Sequence, residues 1–306
     1  MRRVTRGTAA FAALLSLALT ACGHSPGDNR AQAAGDQTLS ISAIPDQDPQ
    51  LLQREFDGIS QYLTTKLGVK ARYVPVTDYT ASVTGFRRGD LSLVFFGGLT
   101  GVQARLQVPG AVPIAQRDID AQFRSVFIAS VASGIQPFQD VAGLKAFAGR
   151  TFTFGSESST SGRLMPQYFL GEAGVKLDAL KGQAGFSGSH DATIKVVEAG
   201  TYDTGALNAA VWDARLKSGK VDTAKVREVF RTPPFHDYHW LIRPDVDQKF
   251  GTGFTEKVKD ALLALDGSDA QQRKILDLFQ CKRFIAAKPE DYQQIEAVGR
   301  AAGLIK

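Results

Sequence analysis

The chain has 306 residues, 43% of them hydrophobic, with 36 Lys+Arg against 31 Asp+Glu and a formal net charge of +5. Three arginines, Arg2, Arg3 and Arg6, open the chain; without them 33 basic residues stand against 31 acids, a balance of +2 that leaves no electrostatic footprint for nucleic acid. With only two cysteines, one of them at position 22, a disulfide framework is excluded.

The arginines form a positive n-region, and Ala9 to Leu19 is an apolar run of 11 residues. That is a secretory signal. It is too short to span a membrane, which takes about 20 apolar residues. The run ends in Leu19-Thr20-Ala21-Cys22, which resembles the lipobox of bacterial lipoproteins, so Cys22 is the expected lipidation site. Residues 23 to 37 have no apolar periodicity and carry Gly, Pro, Asp and Asn, the composition of a flexible tether. Cys281, after Phe279-Gln280, reads as a small buried hydrophobe and not a nucleophile.

From Thr38 onward strands and helices alternate. Leu39 to Ile44 is a strand by its alternation. Leu52, Phe56, Ile59, Leu63 and Leu67 mark one face of a helix that Gly68 stops. Arg72 to Val76 is a strand, Tyr79 to Arg88 a short helix closed by Gly89, and Leu91 to Phe96 a buried strand ending in Gly97-Gly98. A βαβαβ run predicts a parallel sheet with right-handed crossovers. The alternation resumes with strands at Val126–Ser133, Thr151–Phe154, Asp203–Leu207, Val226–Phe230 and Tyr238–Arg243. Helices are expected at Val141–Phe147, Thr160–Leu170, Ala192–Ala199 and Asn208–Leu216, and two more follow around Phe254–Leu265 and Ile275–Phe279. Two α/β blocks predict two lobes with a cleft. Ligands in such sheets bind beyond the carboxyl ends of strands, here the loops after Ile44, Val76, Phe96 and Phe154 and the turn before Tyr238.

Gly155-Ser-Glu-Ser-Ser-Thr-Ser-Gly162 follows a strand and opens a helix, with Ser159 a good N-cap. Free amides, hydroxyls and the positive helix end would bind an anion there; the same residues serve equally as a Ser-rich capped turn. His190 either donates to an oxyanion or caps and packs, and Asp78 is a candidate N-cap. The run Phe235-His-Asp-Tyr-His-Trp240 raises the question of a metal, but strand alternation would put His236 and His239 on opposite faces. No metal or other cofactor is expected.

Asp78-Tyr79, Leu93-Val-Phe-Phe-Gly-Gly98, Ser159-Thr-Ser-Gly162, Ser189-His-Asp191 and Asp237, in this order, resemble the phosphate/phosphite/phosphonate substrate-binding proteins of ABC transporters over essentially the whole chain after the tether. Ile41-Ser-Ala-Ile-Pro-Asp46 and Phe95-Phe-Gly-Gly-Leu-Thr100 are similar to a subgroup usually called selenate-binding. The resemblance implies an α/β, two-lobed periplasmic-binding-protein type II fold, each lobe a mostly parallel sheet flanked by helices. The expected division is 1–21 lipoprotein signal peptide, 22–37 acylated cysteine and tether, 38–126 with 233–306 as lobe one, and 127–232 as lobe two. It also implies a site: Tyr79 bonding the oxyanion from lobe one, Ser159, Thr160 and Ser161 gripping it from lobe two, His190 donating, and Asp237 accepting a proton. Two departures stand out. Phe96 occupies the place of a tyrosine in phosphonate binders. Asn208-Ala-Ala-Val211 also lacks the glutamate that pairs with an aminoalkyl group, so a small, tail-less oxyanion is expected.

The implied protein is a monomeric, exported solute-binding lipoprotein that closes on its anion and delivers it to a permease and its ATPase. Within the class, a phosphite, phosphonate or phosphate ligand is the first reading and selenate the alternative. A serine hydrolase using Ser161, His190 and Asp237 is the rival from another class, but the chain has no G-x-S-x-G elbow. A ligand-sensing subunit of a signalling receptor is a third reading.

Overall fold

The computed structural model describes residues 37–306. The leader, Cys22 and the tether expected from the sequence, up to residue 36, lie outside them. The strands are β1 (Leu39–Ala43), β2 (Ala71–Tyr73), β3 (Leu93–Phe96), β4 (Val112–Arg117), β5 (Ser125–Ser130), β6 (Phe152–Phe154), β7 (Gly185–Phe186), β8 (Thr204–Asn208), β9 (Val226–Arg231), β10 (His239–Ile242) and β11 (Phe284–Ala286). The helices are α1 (Pro49–Leu67), α2 (Tyr79–Arg88), α3 (Gly98–Gln107), α4 (Met165–Glu172), α5 (His190–Glu198), α6 (Ala209–Lys217), α7 (Val246–Phe250), α8 (Phe254–Leu263), α9 (Ala270–Leu278) and α10 (Gln293–Ala301).

Local chemistry sets the boundaries of the helices near the cleft. Asp48 caps α1 by accepting from the amides of Gln50 and Leu51, Pro49 fits the first turn, and Gly68 ends the helix at φ 68°, a conformation that favours glycine. Asp78 caps α2 through the Ala81 amide. The run expected as a helix from Thr160 starts instead as a wide π-helical turn, Thr160–Leu164, before α4; Ser159 Oγ takes the Gly162 amide.

One sheet has the order β11-β4-β10-β3-β1-β2 and the other β7-β6-β8-β5-β9. Parallel pairing holds for β2-β1-β3 and β7-β6-β8. β10 runs antiparallel to both its neighbours, and so does β5. Both sheets are therefore mixed: β5 enters the second sheet from the first crossing between lobes and β10 enters the first sheet from the return crossing, each against its neighbours. The second sheet opens at Ser125, so it takes in two residues placed in lobe one by sequence. The crossings, residues 118–124 and 232–238, are joined by reciprocal 2.9 Å bonds between Phe123 and Phe235.

The core of the first lobe centres on Phe56, Phe95, Trp240 and Phe279, whose ring centroids lie 5.1–6.3 Å apart. In the second, Phe127, Phe147 and Phe152 pack together at 5.4–6.2 Å. Aromatic pairs of this kind add about 0.5–1.5 kcal/mol each beyond area burial. Beside the crossings, Arg117 is buried in a bidentate pair with Asp120 (2.7 and 2.8 Å), donates to the Phe279 carbonyl at 3.0 Å, and stacks over Tyr238 at 4.8 Å.

Candidate functional site

The cleft gathers helix starts from both lobes. Gly97, at the end of β3, allows close approach: a Cβ there would lie 3.2 Å from Thr160 Oγ1 and 3.3 Å from Asp237 Oδ1. The first amides of α3 are held by those two side chains, Gly98 N–H donating to Asp237 (2.9 Å) and Leu99 N–H to Thr160 across the lobes (2.9 Å). On the other side Gly162 leaves room for His190, whose Cε1 would stand 3.2 Å from a Cβ there. With Tyr79 at the first position of α2, the starts of α2, α3, the Thr160 turn and α5 all contribute to one cluster. Such starts present the positive end of the helix dipole.

Tyr79, Ser159, Thr160, Ser161, His190 and Asp237 are each 2% exposed or less. Three of their polar atoms, Tyr79 Oη, Ser161 Oγ and Asp237 Oδ2, are buried and make no hydrogen bond of good geometry, although the Ser159 hydroxyl lies close to Tyr79 and the Ser161 hydroxyl close to Asp237. A buried polar group without a partner costs about 1–3 kcal/mol, so three grouped at one place leave bonding capacity there unused. Burial pushes the Tyr79 phenol well above its usual range, as does the charge of Asp46, while the Ser159 hydroxyl pulls it back. Burial also pushes the Asp237 carboxyl up to about 7; the Gly98 amide and the hydroxyls of Thr160 and Ser161 pull it back, and Asp120 adds to the rise.

His190 reaches the cluster with its ring already engaged, and Phe96 lines it without a donor. The His190 ring lies in the cluster, but both its nitrogens have protein partners: Nε2 lies 3.3 Å from Tyr238 Oη, and Nδ1 accepts from the Asn208 amide at 3.4 Å. Burial lowers its pKa to about 4, leaving it neutral. Phe96 packs edge-on against Phe86 of α2, at 5.6 Å. Alternation along β3 sends it to the α2 side and Phe95 to the aromatic core, so Phe96 supplies apolar wall and no donor. The two histidines of the 235–240 run are not separated by alternation either. β10 begins only at His239, and both rings pack against Tyr292, at 6.0 Å for His236 and 4.0 Å for His239.

Sequence reasoning missed Asp46, Tyr238 and Asn208 as working parts of the cluster. Tyr238 Oη donates to Asp46 Oδ2 at 2.6 Å and accepts from Asn208 Nδ2 at 3.2 Å, and the His190 amide donates to the Asp46 carbonyl at 3.0 Å. Asp46 follows β1 and Asn208 ends β8, so the carboxyl-end rule points to both. Tyr238 adjoins a residue already singled out.

The sequence pattern of one family, described as ABC transporter, phosphonate, periplasmic substrate-binding protein, matches residues 41–292. This chain belongs to that family. Among phosphonate-family relatives, a probable ABC transporter phosphite-binding protein from Prochlorococcus marinus is 47% identical over 271 residues, 88% of this chain and 91% of the relative. A phosphate-import protein from Mycolicibacterium smegmatis is 26% identical over 236 residues, 73% of this chain and 72% of the relative. The structure of the Prochlorococcus protein with methylphosphonate superposes with a TM-score of 0.86 at 48% identity, covering 88% of this chain and 99% of that one. A binding-protein component of a phosphonate transporter from Pseudomonas aeruginosa, at 18% identity and TM-score 0.74, shares the fold, covering 85% of each chain. The family's members are exported components of ABC importers, and the fold is that of the type II periplasmic binding proteins.

Proposed function

We propose that the chain is the lipid-anchored capture subunit of an ABC importer and encloses one small tetrahedral phosphorus oxyanion, of the phosphite, methylphosphonate or phosphate kind, between its lobes. The observation that carries this is the set of unpartnered buried atoms, Tyr79 Oη, Ser161 Oγ and Asp237 Oδ2, at a junction of helix starts, in a chain 47% identical to a phosphite-binding protein. In this reading Tyr79, Ser159, Thr160 and Ser161 supply donors, Asp237 shares a proton with the anion, Phe96 walls the lobe, and His190 holds the closed arrangement. Closure is a hinge motion about the paired crossings. The protein works as a monomer, 38–124 and 232–306 forming one lobe and the segment between them the other. It passes its ligand to the permease and ATPase.

Catalysis has no support in the geometry. Ser161 Oγ makes no hydrogen bond, and the ring nitrogens of His190 face Tyr238 and Asn208. A serine nucleophile needs a base within about 3 Å. Selenate rests only on short sequence motifs, and nothing in the cleft favours it.

A thermal-shift screen of phosphite, methylphosphonate, phosphate, selenate, selenite and sulfate tests the reading. A true ligand at 100 times its Kd adds about 2.7 kcal/mol of stability, a rise of roughly 5–10 °C for a chain of this size. No shift with any phosphorus oxyanion would refute it.

Anchoring is tested separately. Acyl chains contribute about 0.8 kcal/mol per buried CH2, so Cys22→Ser should move the exported protein from the membrane fraction to the soluble one. Unchanged partition on fractionation would remove the anchor from the proposal.

A further inference from the structure

The carboxamide of Asn208 has every polar group engaged. Its Oδ1 caps α6 by accepting from the Val211 amide at 3.1 Å, its Nδ2 donates to Tyr238 Oη at 3.2 Å, and its backbone amide faces His190 Nδ1 at 3.4 Å. Asn208 and His190 belong to the second lobe. Tyr238 lies at the mouth of β10, where the chain re-enters the first lobe, and Asp46 lies in the loop after β1.

The protons in this network have one consistent arrangement. The short 2.6 Å bond to Asp46 commits the phenol proton of Tyr238 to the carboxylate. The phenol oxygen then has only lone pairs to offer, one to Asn208 Nδ2–H and the other to His190. His190 must therefore carry its hydrogen on Nε2, while Nδ1 meets the Asn208 N–H as an acceptor. Three of these contacts cross between the lobes: Asn208 to Tyr238, His190 to Tyr238, and the His190 amide to the Asp46 carbonyl.

We propose that Asn208 is a positioning residue of the anion trap: it fixes Tyr238 and the His190 tautomer when the lobes meet, and so sets how long the closed state lasts. The proposal rests on the reading of the cleft as a trap for phosphorus oxyanions. Because the network joins the lobes only after they meet, it acts on release and leaves encounter alone.

Asn208→Asp is the informative variant. It is isosteric and keeps the oxygen that caps α6. It replaces the N–H donor facing Tyr238 with a second carboxylate oxygen close to Asp46. Stopped-flow measurement with phosphite on the full exported chain should show an off-rate raised about tenfold or more, an on-rate within about twofold of wild type, and an unliganded melting temperature within about 2 °C. Tyr238→Phe, which removes the shared oxygen, should raise the off-rate as well. If both variants release phosphite at the wild-type rate, Asn208 is a helix cap and nothing more, and the proposal is wrong. It is equally wrong if Asn208→Asp lowers the unliganded melting temperature without changing the off-rate. If wild type binds no phosphite, methylphosphonate or phosphate, it is the functional reading that fails, and the two failures are distinguishable.

Discussion

Asp237→Asn should exchange one class of anion for another. Phosphite, methylphosphonate and phosphate should bind roughly tenfold to a hundredfold more weakly, the loss of one hydrogen bond to a charged group at about 1.5–3 kcal/mol. Sulfate and selenate should bind more tightly. The reasoning starts from the carboxyl, which is buried, has Oδ2 free, and is pushed up to about 7. Two like charges at about 4 Å repel by about 4 kcal/mol at an effective dielectric near 20, so one proton must lie between carboxylate and anion. A phosphorus oxyanion can bring that proton, since the second ionisation of such groups is near neutral (about 6 for a phosphate ester). Sulfate and selenate cannot, and depend on Asp237 being protonated. As pH rises through about 7 the folded-state carboxyl loses its proton. Any binding of sulfate or selenate by the wild type should then fall about tenfold per pH unit, and the Asn variant should lose that slope. Calorimetric titration between pH 6 and 9 reads both effects. A wild-type protein that takes selenate tightly at pH 9 and ignores phosphorus oxyanions would overturn the charge argument.

Arg117→Ala should be the most damaging single change away from the ligand. Asp120 is fully buried and its carboxylate takes two guanidinium bonds. Removing one partner of a buried pair leaves the other charged and desolvated, at a cost of about 3–5 kcal/mol. The stacking of the guanidinium over Phe95, Phe123 and Tyr238 is lost as well. Urea unfolding should show an unfolding free energy lowered by that amount, seen as a lower midpoint with an unchanged slope. Replacing the pair together, Arg117→Met with Asp120→Leu, should recover much of the loss, because the pair itself is weak evidence for stability. A single variant within about 1 kcal/mol of wild type would mean the pair opens to water.

What could be read from the sequence was local. Asp78 and Gly89 bracket α2 as expected, and Ser159 caps the Thr160–Leu164 turn, because caps are short-range chemistry. α3 was missed: its cap position is Gly97, which offers no side-chain bond, and glycines at 98 and 101 weaken the helical signal. β4 was missed because Pro113 reads as a breaker. Of the residues the family resemblance implies, Ser159, Thr160, Ser161, His190 and Asp237 come together and are buried, but the partners they meet there are not legible in the sequence. Asp46 and Tyr238 stand 192 positions apart, and only the return crossing brings them together. Arg117 and Asp120 lie only three positions apart, but that spacing fits an exposed surface pair as well as a buried one. Phe96 stands where the family resemblance places a ligand-side tyrosine, and the pleat of β3 turns its ring to α2.

The central place of β10 bears on how the molecule comes into being. β10 lies between β4 and β3, yet its residues follow the whole of the second sheet in the chain. A chain emerging from its N-terminus can complete the sheet of β5 to β9 once residue 231 is out. At that moment β3, Leu-Val-Phe-Phe, shows an unpaired apolar edge of the kind that invites pairing with other chains, and β4, both of whose neighbours come later, has no partner strand. The later half of the molecule thus finishes what the earlier half began, and the segment from Phe235 to Ile242 is the piece whose arrival ends that exposure. The stretch that brings Asp237 to the cleft is therefore also the one that joins β3 to β4, before β11 completes the edge of the first sheet.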